Sequence, residues 1–368
     1  MNSDMHKPSI VKNKSSLNTF KPLTSNDFIL DDLELQKLLN QAYLELGNLN
    51  GLLELLPNKE ILLSPILVIE SVKSSNIESI SSTILEQLQI SAKGRQVYNS
   101  EQKQTENYRQ AILSGFEYLK QNKSFDLELI VLIQNILEPN LAGIRDMQKV
   151  VIANNSTGQI LWQPPAGKQT ILDYLEDWLQ TLNANDTTDD MIKVAILHSQ
   201  FEAIHPFVDG NGRTGRIMII LFLVFRGYIS YPCLYLSQYI LQTRTYYYLN
   251  LQEAQVENKH QGIAKYLIQG ICEKAKHTSN LIINISQTKT ETKIRLQQTL
   301  PKIYSSRLVD YLFETPFYSI GSMCIDLNLT RNTSSKYLKL LLNNNFIEIY
   351  ENKKTKLYYN SVLLKMLG

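Results

Sequence analysis

A mainly helical protein is predicted, because apolar residues recur at three- and four-residue spacing along most of the chain while strand candidates are few. Leu35–Leu46, Leu62–Val72, Leu129–Leu137, Ile171–Leu182 and Met191–Ile204 all carry that period. Two interruptions give the outline of an architecture. Val150–Ile152 and Ile160–Trp162 flank the turn-rich run Asn154–Gly158, which reads as a short β-hairpin. The polar stretch Ser286–Arg295 marks the passage into a C-terminal unit, and a helix through it would extend its apolar stripe to Ile294, Leu296 and Leu300.

Pro65 suits the first turn of the second helix, where its missing N–H is not needed. The C-terminal unit, 300–368, has the outline of a winged helix. Its helices are expected at Ser306–Phe313, Ile320–Leu327 and Arg331–Leu342, with Asn328–Thr330 as the turn and Thr330 as N-cap. Phe346–Tyr350 and Lys356–Tyr359 would be wing strands around Glu351–Lys354. The domains are set at 1–110, 111–285 and 300–368.

Bulk properties exclude several classes. The 368 residues suffice for two or three domains, each with its own core. A net charge of +2 gives no general sign of nucleic acid or membrane as a partner. Cys233, Cys272 and Cys324 are far apart and odd in number, which suits neither a disulfide framework nor a metal site and points to the cytoplasm. Met1–Lys7 lacks the features of a secretory signal, and the apolar run within 217–225 is too short to span a bilayer.

The chemistry concentrates in His205-Pro-Phe-Val-Asp-Gly-Asn-Gly-Arg-Thr-Gly-Arg216. Arg213 and Arg216 open a helix whose apolar body, Ile217–Phe225, stops at Arg226-Gly227. A helix N-terminus is already partly positive, so cations are disfavoured there unless an anion answers them. The two arginines share a face by their i, i+3 spacing. Gly210, Asn211 and Gly212 free backbone N–H groups to close around a phosphate. Asp209 offers a hard oxygen suited to Mg²⁺, and His205 a proton acceptor near neutral pH. Taken singly, a histidine before proline is a turn residue and Asp-Gly-Asn-Gly a plain turn. Together they read as a nucleotide-phosphate site with a base beside it.

This segment resembles the Fic-domain signature, His-x-Phe-x-(Asp/Glu)-Gly-Asn-Gly-Arg-x-x-Arg, at every fixed position. The resemblance implies a Fic helical core with a β-hairpin flap, and adenylyltransferase activity that moves AMP from ATP to a hydroxyl of a target protein, the chain itself included. By the same resemblance His205 is the general base, Asp209 holds Mg²⁺, and Gly210, Asn211 and Gly212 form the anion cradle. Arg213 and Arg216 grip the phosphates, Arg216 the terminal ones, and Phe207 anchors the loop. The hairpin after Leu141–Ile152 corresponds to the flap, which aligns an acceptor segment by strand addition. Leu234–Ile240 and Tyr246–Asn250 resemble the region that encloses adenine, with Tyr247 as the nucleobase contact; aromatics at helical spacing are otherwise core.

Upstream, Ser74-Ser-Asn-Ile-Glu78-Ser79 fits the family's inhibitory pattern, (Ser/Thr)-x-x-x-Glu-(Gly/Asn), except at its last residue. The resemblance implies that Glu78 pairs with Arg216 and holds it from the γ-phosphate. Ser75-x-x-Glu78 is also the spacing of a capping box at a helix start. Fic proteins of this layout commonly end in a winged helix. Arg331, Lys336, Lys339, Lys353, Lys354 and Lys356 would meet DNA phosphates, but the recognition helix is otherwise Asn, Thr, Ser and Leu, which favours a partner-binding or dimer-forming role. Phosphoryl transfer or AMP removal at the same site, or a DNA-binding regulator that senses nucleotide, stay open as alternatives.

Overall fold

The computed structural model describes residues 20–56, 59–92, 99–147, 150–153, 160–352 and 355–367. In chain order the helices α1 (Leu33–Leu55), α2 (Lys59–Ile77), α3 (Ile84–Ala92), α4 (Ser100–Asn122) and α5 (Leu127–Leu137) come first. Strands β1 (Ile152–Ala153) and β2 (Ile160–Trp162) precede α6 (Lys168–Asn183), α7 (Asp190–Ile204) and α8 (Asn211–Phe225). Then follow α9 (Leu236–Gln242), α10 (Arg244–Glu257) and α11 (Gln261–Thr299). The chain closes with α12 (Ser306–Glu314), β3 (Phe317–Tyr318), α13 (Ile320–Asp326), α14 (Arg331–Asn343), β4 (Glu348–Asn352), β5 (Thr355–Tyr359) and α15 (Ser361–Leu367). The chain is mainly α, as its periodicity predicts.

Two compact units share these elements. One is drawn from Met1–Gly47, Gln110–Pro232 and Leu236–Ala275; the other from Asn48–Arg109, Cys233–Tyr235 and Lys276–Gly368. The first unit has α7 at its centre. Nearly every residue of α7 is buried, because α6, α8 and α10 pack around it. Asp189 caps its start by accepting the N–H groups of Met191 and Ile192. Asp190 then receives Arg226 Nε at 2.8 Å and the Tyr228 hydroxyl at 2.7 Å, which ties the start of α7 to the end of α8. Gly115 makes room for this core: a Cβ there would lie 2.5 Å from Leu221 Cδ1.

In the second unit, α2 packs on α12 and α15, and α3 lies against β3. The upstream helices and the C-terminal module therefore share a core, which the sequence domains 1–110 and 300–368 keep separate. The three-stranded sheet has the order β3-β5-β4, antiparallel throughout, with Phe317 opposite Tyr359 and Tyr350 opposite Leu357. Ser305, Ser319 and Thr330 each cap the helix that follows, accepting a backbone N–H three residues on. Helix α11 runs unbroken for 39 residues, through the polar stretch Ser286–Arg295.

Some sequence expectations need correction. Pro65 lies inside α2, not in its first turn, because the helix already begins at Lys59. Ser75–Glu78 is not a helix start. The Ile80 N–H bonds to Ser75 O at 3.1 Å and Ser79 N–H to Asn76 O at 3.1 Å, the paired bonds of a Schellman ending. Glu78 is thus the last half-helical residue of α2, and Ser79 takes the left-handed conformation with φ 64°. The turn Asn154–Gly158, Met1–Lys7, Lys353 and Lys354 lie outside the described residues.

Candidate active site at the junction of α7 and α8

Helix α7 ends on His205, whose φ of 49° and ψ of 59° turn the chain sharply out of the helix. Left-handed backbone at a non-glycine residue costs about 1–2 kcal/mol, so the surrounding loop must hold it. It does so from several sides. Arg145 donates from Nε to His205 O at 2.6 Å and from Nη2 to Pro165 O at 2.7 Å, and its own N–H goes to Pro206 O at 3.0 Å. Asn211 closes the loop with a two-way bridge to Phe207: its Oδ1 accepts the Phe207 N–H at 2.9 Å and its Nδ2 donates to Phe207 O at 2.9 Å. Phe207 is fully buried against Phe201, the core anchor its place in the loop predicts.

The loop then enters α8 at Asn211. Gly210 is its N-cap, at φ 83°, and donates its N–H to Asp209 Oδ1 at 2.6 Å. Gly212 follows in the first turn, so the cradle backbone sits at the positive end of α8. Arg213 is the third residue of the helix and Arg216 the sixth, one turn further along. Both side chains are buried, with Arg213 at 2% and Arg216 at 1% exposure. Arg213 Nη2 donates to Glu138 Oε1 at 2.8 Å and stands 3.5 Å from Asp209 Oδ1. Its Nε and Nη1 are buried without a hydrogen-bond partner among the described residues. Such donors are expensive to leave dry, about 1–3 kcal/mol each, unless an anion comes to them.

The deeper face of α8 explains its tight seat. A Cβ on Gly215 would lie 2.7 Å from Glu202 Oε1 and 3.1 Å from His198 Cε1, so any larger residue would displace these α7 side chains. His198 is buried and shares a 2.7 Å hydrogen bond between its Nε2 and the Tyr247 hydroxyl. Burial, with the nearby Arg216 charge, pushes its pKa down to about 3, so the ring stays neutral. Tyr247 itself is 1% exposed, between the rings of Tyr248 and Tyr266. The hydroxyl expected beside a nucleobase is engaged with His198 in this conformation.

The hairpin is present where the sequence places it, with Ile152 opposite Trp162 and Ala153 opposite Ile160. Trp162 Nε1 donates to Ala203 O at 2.9 Å, which fastens β2 to the last turn of α7, two residues before His205. Ser74 and Glu78 belong to the second unit: Ser74 is fully buried on α2 and Glu78 is exposed at the helix end. Within the first unit, the structure brings His205, Asp209, Gly210, Asn211, Gly212, Arg213 and Arg216 onto one helix–loop–helix.

Glu138, Arg145, His198 and Gln134 carry roles that sequence reasoning did not assign. Gln134 links two loops, donating to Leu141 O at 3.0 Å and to Asp209 O at 3.4 Å while accepting the Gly143 N–H at 3.1 Å. For Glu138 a signal existed. An acidic residue closing a helix just before Pro139 sits at the negative end of the dipole, as misplaced as arginines at the positive end.

The chain matches the Fic/DOC family profile over residues 124–223 and the Fic/DOC family N-terminal profile over 36–117. Residues 288–363 match the C-terminal domain described as that of protein adenylyltransferase SoFic-like proteins. Among similar proteins, the Aquifex aeolicus (strain VF5) protein named probable protein adenylyltransferase aq_aa38 is 31% identical over 160 residues, 42% of this chain and 44% of its own length. Protein adenylyltransferase fic-1 of Caenorhabditis elegans is 29% identical over 133 residues, 34% of this chain and 25% of that protein. The chain therefore spans less than half the length of these relatives. Among solved structures, a Fic family protein from Desulfovibrio desulfuricans G20 superposes with a TM-score of 0.57 at 16% identity, covering 93% of this chain and 98% of that one. Fic-1 of C. elegans superposes with a TM-score of 0.51 at 18% identity, over 69% of this chain and 73% of that one, so the likeness is one of fold. The full signature, assembled at one helix junction, lies inside the segment 124–223 that matches the Fic/DOC family profile.

Proposed function

We propose that this protein transfers AMP from ATP to a hydroxyl side chain of a target protein, itself included. The observation that carries the reading is Arg213, whose buried Nε and Nη1 have no partner among the described residues at a helix start already positive in character. Triphosphate answers both features. His205, held at the neighbouring turn, accepts the proton of the attacking hydroxyl. The oxygen–phosphorus bond forms at the α-phosphate, the bridge to the β-phosphate breaks, and pyrophosphate leaves. Base catalysis of this kind contributes roughly 10²–10⁴-fold. The names of the relatives agree with adenylyl transfer.

Asp209 is the residue that would hold Mg²⁺. Its side chain is 58% exposed, with Oδ1 taken by the Gly210 N–H. No cluster of three or more His, Cys, Asp or Glu side chains able to hold a metal occurs among the described residues. One carboxylate nevertheless fits Mg²⁺, which keeps waters and takes further oxygens from phosphates. Bound there, the ion would offset charge on the phosphates.

The anchoring of β2 by Trp162 to α7 supports the flap reading, since one helix end then holds both the base and the strand edge that would align the acceptor. Glu78 supports the inhibitory reading in a different way. A carboxylate at the C-terminus of α2 opposes that helix's dipole, just as Arg216 near the start of α8 opposes its own. The order helix, strand, two helices and two strands, with the sheet β3-β5-β4, supports a winged helix at the C-terminus, which we read as a partner-docking module. No helix among the described residues is long and apolar enough to cross a membrane.

The test is incubation with ATP labelled on the α- or the γ-phosphate. Protein label from α alone means AMP transfer; label from γ alone means phosphorylation and sinks the proposal. Salt-dependent retention of DNA without any transfer would favour the regulator instead.

A further inference from the structure

Glu138 is the C-cap of α5, and its carboxylate comes to Arg213 from 75 residues away in sequence. The contact is built tightly. Glu138 Oε1 accepts from Arg213 Nη2 at 2.8 Å, and the carboxylate is only 15% exposed. The cradle glycine leans on the same residue: a Cβ on Gly210 would lie 3.4 Å from Glu138 Cγ. Asp209 Oδ1, at 3.5 Å from the same nitrogen, is the weaker neighbour, and its side chain is mostly in solvent.

Two features make this carboxylate hard to explain as packing alone. It stands at the negative end of its own helix. It also brings negative charge into a site that reads as a receptor for phosphate. Both are unfavourable by themselves, and both are offset if the carboxylate governs how Arg213 is presented. A guanidinium has five donors in a rigid fork, so fixing one nitrogen fixes the direction of the others.

We propose that Glu138 is a positioning residue of the phosphate cradle. It clamps Arg213 through Nη2, which reserves Nε and Nη1 for the polyphosphate, and it supplies the counter-charge that keeps the guanidinium seated before nucleotide arrives. The inference rests on reading the cradle as a nucleotide site. Asp209 cannot replace it, because that carboxylate is the one a metal ion would recruit. Glu138 thereby sets the affinity for triphosphate from both sides: its geometry raises it and its charge lowers it.

Those two contributions separate in two variants, made in the wild-type chain and again with Glu78→Gly. Glu138→Gln retains an oxygen for Nη2 but removes the charge, so inorganic triphosphate should bind about threefold tighter by calorimetry and KM for ATP should fall. Glu138→Ala frees the guanidinium, and triphosphate binding should weaken about tenfold while KM for ATP rises and kcat falls. A merely structural role would move both variants the same way, in step with their melting temperatures. If Glu138→Ala does not fold, Glu138→Asp, one methylene short of Arg213, takes its place. A Gln variant that weakens binding as Ala does, an Ala variant that matches its parent, or Glu78→Gly protein that binds no triphosphate would each overturn the proposal. Triphosphate binding that follows the two variants, with no protein labelled from α-phosphate, would leave Glu138 its role and remove only the AMP-transfer reading.

Discussion

Arg145 holds the carbonyl of His205, donating its Nε–H over 2.6 Å to the one residue of this chain expected to act as a base. The same guanidinium reaches Ile204 O at 3.3 Å and Pro165 O at 2.7 Å. It is 2% exposed, and burial lowers its pKa from the ordinary arginine value. The carbonyls it meets at the end of α7 carry the negative pole of that helix, which answers its charge. Arg145→Met should cost roughly 3 kcal/mol, since several buried carbonyls lose their donor at once. Thermal unfolding gives the check: equal melting temperatures would mean the carbonyls are satisfied otherwise.

Gly215 sets how closely α8 can lie on α7. Gly215→Ala places a methyl 2.7 Å from Glu202 Oε1 and 3.1 Å from His198 Cε1, so both side chains must give way, costing about 1–3 kcal/mol. Because Arg216 is the next residue, ATP binding should weaken together with stability. A variant as stable and as tight-binding as wild type would contradict the close seat described for these helices.

His198 gives the fold an acid sensitivity. In the folded chain its pKa lies near 3, against an ordinary value of 6.5, because burial and Arg216 disfavour the charged ring. The unfolded chain binds the proton first as pH falls, so stability is intact above about 6.5 and declines from there toward about 3. The slope from this group alone approaches roughly 1.4 kcal/mol per pH unit. His198→Gln, which can still meet the Tyr247 hydroxyl, should flatten unfolding free energy between pH 7 and 5; an unaltered slope would rule out His198 as its source.

Ser79 occupies a left-handed position, φ 64°, that glycine and asparagine adopt more readily. Ser79→Asn should stabilise the second unit by about 0.5–1 kcal/mol in denaturant unfolding. A loss of stability would show that the serine side chain is needed at that turn.

Glu78→Gly should raise AMP transfer and self-labelling, and leave the fold intact because the residue is exposed at the end of α2. A rise from mostly closed to mostly open needs a few kcal/mol of differential binding. Unchanged labelling by a folded Glu78→Gly protein would remove the inhibitory role.

The legible part of this protein was the part written in short range. The signature 205–216 spans one turn and the start of one helix, so its spacing already fixes which groups share a face. The C-terminal helices were legible for the same reason, with Thr330 marking the start of the third. Helix α4, rich in Gln, Glu, Lys and Asn, was not, because Gln102, Thr105 and Arg109 take buried positions where an apolar stripe would show. Strand β3 is two residues long, too short for any period to show.

What the residue order determined by itself was the chemistry: a base, a carboxylate and two guanidinium groups set a helix turn apart, with glycines where backbone had to open. What only the tertiary structure decided was who holds those groups. Glu138 meets Arg213 across 75 residues and Arg145 meets His205 across 60. The upstream helix α2 shares its core with α12 and α15 at the far end of the chain. Helical period links neighbours within a turn or two, whereas a buried ion pair depends on which helices pack together, and that is settled by the burial of whole faces.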